Sequence, residues 1–196
     1  MHTAFGSEER FTQGEFLEWL RGLRASDINR YELMGGRILM TPPAGFSHSA
    51  LAARIVYALS RYTHATGSGL VLESSAGFNL PSGDTLEPDV TFLSAARLAA
   101  GPKPGHGSFL EIVPDLVVEV LSRSTARRDR VEKKKVYARC GVEEYWLVDP
   151  RRSTVEIFAR EGETFGAARV FRSGALVSRV APELELSIEE LFTGLD

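Results

Sequence analysis

One run of residues constrains this chain more than any other: Leu116-Val117-Val118-Glu119-Val120-Leu121. Aliphatic side chains in succession mark a strand buried on both faces, because a half-exposed strand alternates polar and apolar positions. A lone charge in such a run is strongly penalised. Glu119 must therefore meet a buried cation, bind a metal, or face a site at the strand's end. Asp89, in Pro88-Asp89-Val90-Thr91-Phe92, poses the same question. Two carboxylates on short apolar strands can converge on one hard cation through their oxygens, or they can form two unrelated salt bridges. The spacing admits both.

The rest of the chain is that of an ordinary globular protein. Its 196 residues are 43% hydrophobic and 25% charged, which excludes a disordered or collagen-like chain and fits one domain over residues 1–196. The single cysteine, Cys140, excludes a disulfide framework and a multi-Cys zinc site. A net charge of −3 excludes a generic polycation, so any phosphate contact needs a local basic patch. The start, MHTAFGSEER, lacks the basic and apolar regions of a signal peptide, and the apolar stretch from Ala50 to Leu59 is interrupted by Arg54. The expected setting is cytoplasmic, with no membrane partner.

Local patterns give the elements. Thr12 and Glu15 form a capping box ahead of a helix whose core face is Phe16, Trp19, Leu20 and Leu23. Tyr31–Met34 and Arg37–Met40 around Gly35-Gly36 predict a β-hairpin, which Pro42-Pro43 ends. Ser47 is the expected cap of a second helix with Leu51, Ile55, Leu59 and Tyr62 inward. Strands are expected at Leu70–Leu72, Gly77–Leu80, Pro88–Leu93 and Leu116–Leu121, with a surface loop over 101–107. A basic helical segment then runs from Ser122 to Arg139 and stops at Gly141. Tyr145–Val148 and Thr154–Phe158 predict another hairpin, followed by weaker strands and a short helix near Ile188 to Phe192.

Leu121, two residues beyond Glu119, shares its face, so the nearest cations lie on the next helix. There Asp129, Lys133 and Tyr137 fall at i, i+4 and i+8, beside Val136 and Cys140, which points Lys133 inward; the alternative is an exposed pair with Asp129. Lys134 and Lys135 are turned off that face towards solvent. Between Arg123 and Lys135 seven basic residues stand against two acidic ones. Such a run serves either phosphate contacts or a solvated helix face.

These residues carry a resemblance. Tyr31-Glu32-Leu33-Met34-Gly35-Gly36, the Pro42…His48 spacing, Glu87-Pro88-Asp89-Val90, the run from Pro114 to Ser124, Asp129…Lys133…Tyr137 and Gly141–Asp149 occur here in one order. Together they resemble the Uma-type restriction endonuclease family, a branch of the PD-(D/E)xK nuclease superfamily, over about residues 12–190. The resemblance implies an α/β fold, a restriction-endonuclease-like core with a central mixed β-sheet flanked by helices. It implies a Mg²⁺ site, with Mn²⁺ as a substitute, held by Asp89, Glu119 and the backbone carbonyl of Val120. Glu32 is then an accessory acid, directly or through water. Leu121 occupies the superfamily's usual lysine position, and Lys133 is the matching lysine. His48 matches a recurring family histidine without an assigned role, and capping or packing at a helix start is its alternative.

The function so implied is a Mg-dependent endonuclease hydrolysing phosphodiester bonds in DNA, with Asp89, Glu119, Lys133 and Glu32 catalytic. Arg123, Arg127, Arg128, Arg130 and Lys134 would grip DNA, and a homodimer would suit double-strand cleavage. The alternative is an inactive nuclease-like module that binds nucleic acid or a protein partner. A purely structural domain would instead hold the two carboxylates apart. No nucleophile elbow and no paired metal-ligating histidines are present, since His2, His48, His64 and His106 are scattered.

Overall fold

The computed structural model describes residues 9–103, 105 and 108–195. The N-terminal segment to Glu8, including His2, and Pro104, His106 and Gly107 of the expected surface loop lie outside the described residues. In chain order the elements begin with α1 (Gln13–Arg21), β1 (Arg30–Met34), β2 (Arg37–Thr41), α2 (Phe46–Thr66) and β3 (Gly69–Glu73). They continue with β4 (Phe78–Asn79), β5 (Thr85–Leu86), β6 (Val90–Ser94), α3 (Ala95–Ala100) and β7 (Leu116–Val120). After α4 (Ala126–Arg128), a π turn (Asp129–Lys133) and α5 (Lys134–Cys140) come β8 (Glu144–Asp149), β9 (Thr154–Glu161), β10 (Thr164–Phe165), β11 (Arg169–Phe171) and α6 (Ile188–Phe192).

The main sheet has the order β10-β9-β8-β7-β6-β3, with β11 also on β9. It is mixed: β7 and β8 run parallel, while β6·β7 and β8·β9 are antiparallel. All five residues of β7 are buried, as the aliphatic run requires. Alternation divides them between two cores. Leu116, Val118 and Val120 pack with Leu51, Ile55 and Leu59 of α2 and Leu191 of α6 on one face. Val117 and Leu121 pack with Tyr137 of α5, Tyr145 and Phe158 on the other. A second sheet, β2-β1-β5-β4, lies beside this layer.

Several local expectations hold for physical reasons the structure makes explicit. The Thr12–Glu15 capping box is formed, and Gly35 and Gly36 take φ of 58° and 74°, the left-handed pair that a two-residue hairpin turn needs. Gly141, at φ 93°, ends α5 in the left-handed conformation. Three expectations are corrected. Ser47 does not cap α2: the cap is Gly45, with no side-chain bond, and Ser47 sits within the helix. The segment from Ser122 to Arg139 is no regular helix, because a π turn over Asp129–Lys133 divides it. Leu23 also falls beyond the end of α1, leaving Phe16 as its buried anchor.

Gly69 opens the edge strand β3 at φ 154°, a conformation that would aim a side chain at β6. A Cβ at Gly69 would lie 2.0 Å from the Leu93 carbonyl oxygen, a backbone atom that cannot yield without separating the strands. Gly69→Ala is expected to lower stability by about 2–3 kcal/mol in urea titration; an unchanged midpoint would show that β3 is loosely attached.

Candidate functional site

Strand register brings the two suspect carboxylates together. Val90 is opposite Val118, so continuing the antiparallel register by one residue sets Asp89, just before β6, opposite Glu119 on the same sheet face. The β1·β2 hairpin adds Glu32, and the π turn adds Asp129 and Lys133. All five side chains line one cavity of about 110 Å³, with Arg30, His48 and Arg128. Glu32, Asp89, Glu119, Asp129 and Lys133 are each 2–3% exposed. The expected inward turn of Lys133 is therefore realised, and an exposed Asp129–Lys133 pair is not.

Lys133 is the hub. Its Nζ lies 2.7 Å from Glu32 Oε1, 2.8 Å from Glu119 Oε1 and 4.0 Å from Asp129 Oδ1. Tyr137 donates its hydroxyl to the same Glu119 oxygen at 2.9 Å. Glu32 also accepts from the Glu87 amide at 2.9 Å, with Arg128 Nη2 3.7 Å away. Asp129 and Lys133 stand at the two ends of the π turn, and both are buried. Tyr145 fastens that turn by donating to the Asp129 carbonyl at 3.0 Å.

Asp89 is held by a separate set. Its Oδ1 accepts from Arg30 Nη1 at 2.9 Å, and its Oδ2 from the Val120 amide at 2.8 Å and from His48 Nε2 at 3.0 Å. His48 thus reaches the site from the first turn of α2, rather than serving as a cap. Its Nδ1 is buried without a hydrogen-bond partner, as is Asp129 Oδ1.

These surroundings separate the carboxyl groups. Burial raises Glu32, but Lys133, Arg128 and the Glu87 amide outweigh it and hold the group below the usual range. Burial likewise raises Asp89, yet the hydrogen bond from His48 and the charge of Arg30 bring it down to about 2. For Glu119, burial outweighs Lys133, and the charges of Asp129, Asp89 and Glu32 push the same way, so it rises to about 8. Asp129 is raised, mainly by burial. Burial disfavours the Lys133 ammonium, but Glu119, Glu32 and Asp129 hold its pKa above the ordinary lysine value. Lys133 is accordingly a proton holder and donor at neutral pH.

The expected basic grip is dispersed. Arg128 turns into the cavity and donates to Thr41 Oγ1 at 3.0 Å. Arg130 is spanned by Glu156 at 2.8 Å and Asp149 at 3.5 Å, on the side of the helix away from the cavity. Lys134, expected in solvent, lies with Nζ 3.6 Å over the Phe158 ring. Arg123 lines a separate groove with Arg151 and Arg152, and Arg127 is exposed near Glu132. Sequence reasoning missed Arg30 and Glu87 as site residues, although each stands two residues from a site carboxylate, Arg30 on the same face of β1 as Glu32.

The carboxylate oxygens of this cavity and the Val120 carbonyl on its wall suit a hard divalent ion. Among the described residues no three His, Cys, Asp or Glu side chains converge as a ready-made metal cage. Asp89 and Glu119 give two carboxylates, which is the protein share of a Mg²⁺ site that keeps several waters. The residues fit such an ion.

Comparison with known proteins follows the same line. The family model Uma2, described as "Putative restriction endonuclease", matches residues 14–189, so the chain belongs to that family. A solved structure described as "a putative nuclease belonging to DUF820 from Anabaena variabilis" is similar in fold, with a TM-score of 0.76 and 21% identity, covering 95% of this chain and 99% of that one. No curated protein matches the chain. Among the described residues, no helix is long and apolar enough to cross a membrane.

Lys133→Ala would leave Glu32 and Glu119 buried without their shared cation. A loss of about 3–5 kcal/mol in urea unfolding is expected; a loss below 1 kcal/mol would mean that Lys133 is not the hub.

Proposed function

We propose that this chain is a divalent-metal-dependent endonuclease that hydrolyses phosphodiester bonds in DNA. The observation that carries the reading is the burial of four carboxylates, Glu32, Asp89, Glu119 and Asp129, around one lysine in a cavity open to solvent at the strand ends. Structural domains avoid burying like charges together, because each raises the pKa of the next. Asp89, Glu119 and the Val120 carbonyl would hold Mg²⁺ or Mn²⁺, with Glu32 as the accessory acid. When bound, the ion supplies Lewis-acid polarisation of a phosphate and a bound water of lowered pKa.

The protein's own groups do the rest. Lys133 keeps its proton and donates hydrogen bonds, so it orients the attacking water and offsets charge developing on the phosphate, rather than acting as a base. Glu32 and Glu119, the latter held by Tyr137, fix the lysine's position. Arg128, on the cavity wall, is the best placed of the basic residues to meet the phosphate, and Arg123 and Arg127 extend the contact along the strand. Arg130 and Lys134 would reach DNA only after leaving Glu156 and Phe158.

Purified protein is expected to nick supercoiled plasmid with Mg²⁺ or Mn²⁺ and not with EDTA. Asp89→Ala and Glu119→Ala should each reduce cleavage by more than about a hundredfold with the fold retained by circular dichroism. Cleavage that survives both substitutions would overturn the assignment, and binding of DNA without cleavage by the wild type would favour the inactive module.

The pH profile follows from Glu119. It must lose its proton to serve as a ligand, and the ionised fraction grows as pH rises through about 8. Cleavage at fixed Mg²⁺ should therefore climb between about pH 6.5 and 9. A flat profile over that range would contradict the role of Glu119.

A further inference from the structure

The guanidinium of Arg30 stands between two carboxylates and satisfies neither arrangement fully. Nη1 is 2.9 Å from Asp89 Oδ1, and Nη2 donates to the Glu87 carbonyl. Nε lies 3.6 Å from Glu87 Oε2, is buried, and has no hydrogen-bond partner. A buried N–H left unpaired is costly, and here its acceptor waits less than 1 Å beyond bonding range. Asp89, meanwhile, has both oxygens engaged, Oδ1 by Arg30 and Oδ2 by His48 and the Val120 amide.

We propose that Arg30 is a resident counter-ion of Asp89 that yields its place to a divalent cation by shifting onto Glu87, so that it sets the affinity of the site. This rests on the metal-dependent reading above and deepens it. With no ion present, Arg30 balances a carboxylate buried among three others. When an ion takes Asp89 Oδ1, two positive charges on one oxygen repel, and the guanidinium slides towards Glu87 while its Nη2 bond to the Glu87 carbonyl stays as the pivot. The Nε–H then gains the acceptor it lacks. Arg30 is thus a positioning residue, acting on the ion through Asp89, and its charge opposes metal binding.

The test is calorimetric titration of the full chain with MnCl₂, without nucleic acid. Arg30→Gln should tighten the Mn²⁺ Kd by about tenfold, and Arg30→Lys, which keeps the charge, should change it little. In the wild type, the arginine Nε–Hε resonance assigned to Arg30 should move on addition of Mg²⁺, tracking the same Kd, as its new hydrogen bond forms. A residue that only supports the fold would, when replaced, loosen Mn²⁺ binding. Wild-type binding that is unchanged or weakened in Arg30→Gln, or an Nε–Hε signal indifferent to Mg²⁺, would overturn the role of Arg30 alone. Absence of any divalent binding to the wild type would overturn the metal-dependent reading, and this inference with it.

Discussion

The Lys133 ammonium, held within 2.8 Å of both Glu32 and Glu119, is the contact on which the site is built. It joins the small antiparallel sheet, the central strand and the π turn. Taking an ion pair out of water costs several kcal/mol per ion, and a lysine shared by two carboxylates recovers this only if every partner is hydrogen-bonded. Tyr137 and the Glu87 amide supply those bonds, and Arg128 adds its charge 3.7 Å from Glu32. Around this point the apolar layers on either face of β7 exclude water and keep the charges strong.

The cluster is electrically divided. Glu32 and Asp89 stay ionised because their cations and hydrogen bonds outweigh burial, whereas Glu119 is raised because burial outweighs its lysine and three carboxylates add to it. On the proposed reading, Glu119 gives up its proton when a metal ion binds. Its protein cations, Lys133 and Arg30, keep the carboxylates in place.

Much of this was legible in the chain itself, for identifiable reasons. The run around Glu119 reads as a buried strand because burial on both faces erases alternation. The Gly35-Gly36 turn and the Thr12–Glu15 box are local devices whose chemistry lies within a few residues. Asp129, Lys133 and Tyr137 align by helical counting, and all three are buried. The π turn was not legible, since one extra residue in a helical turn leaves no mark on hydrophobic spacing. The partners of the basic segment were hidden for another reason: Arg130 meets Glu156 and Lys134 meets Phe158, across strand pairings that composition does not reveal. Arg30 looked like an ordinary strand entrance, and only the fold shows its guanidinium reaching Asp89.

The central claim is that Asp89 and Glu119 share one divalent ion. Crystals soaked in MnCl₂ and measured at the manganese absorption edge test it most directly. One anomalous peak is expected between the two carboxylates, in contact with an oxygen of each. Well-ordered, metal-soaked crystals with no peak there, or with manganese bound only elsewhere on the surface, would contradict it.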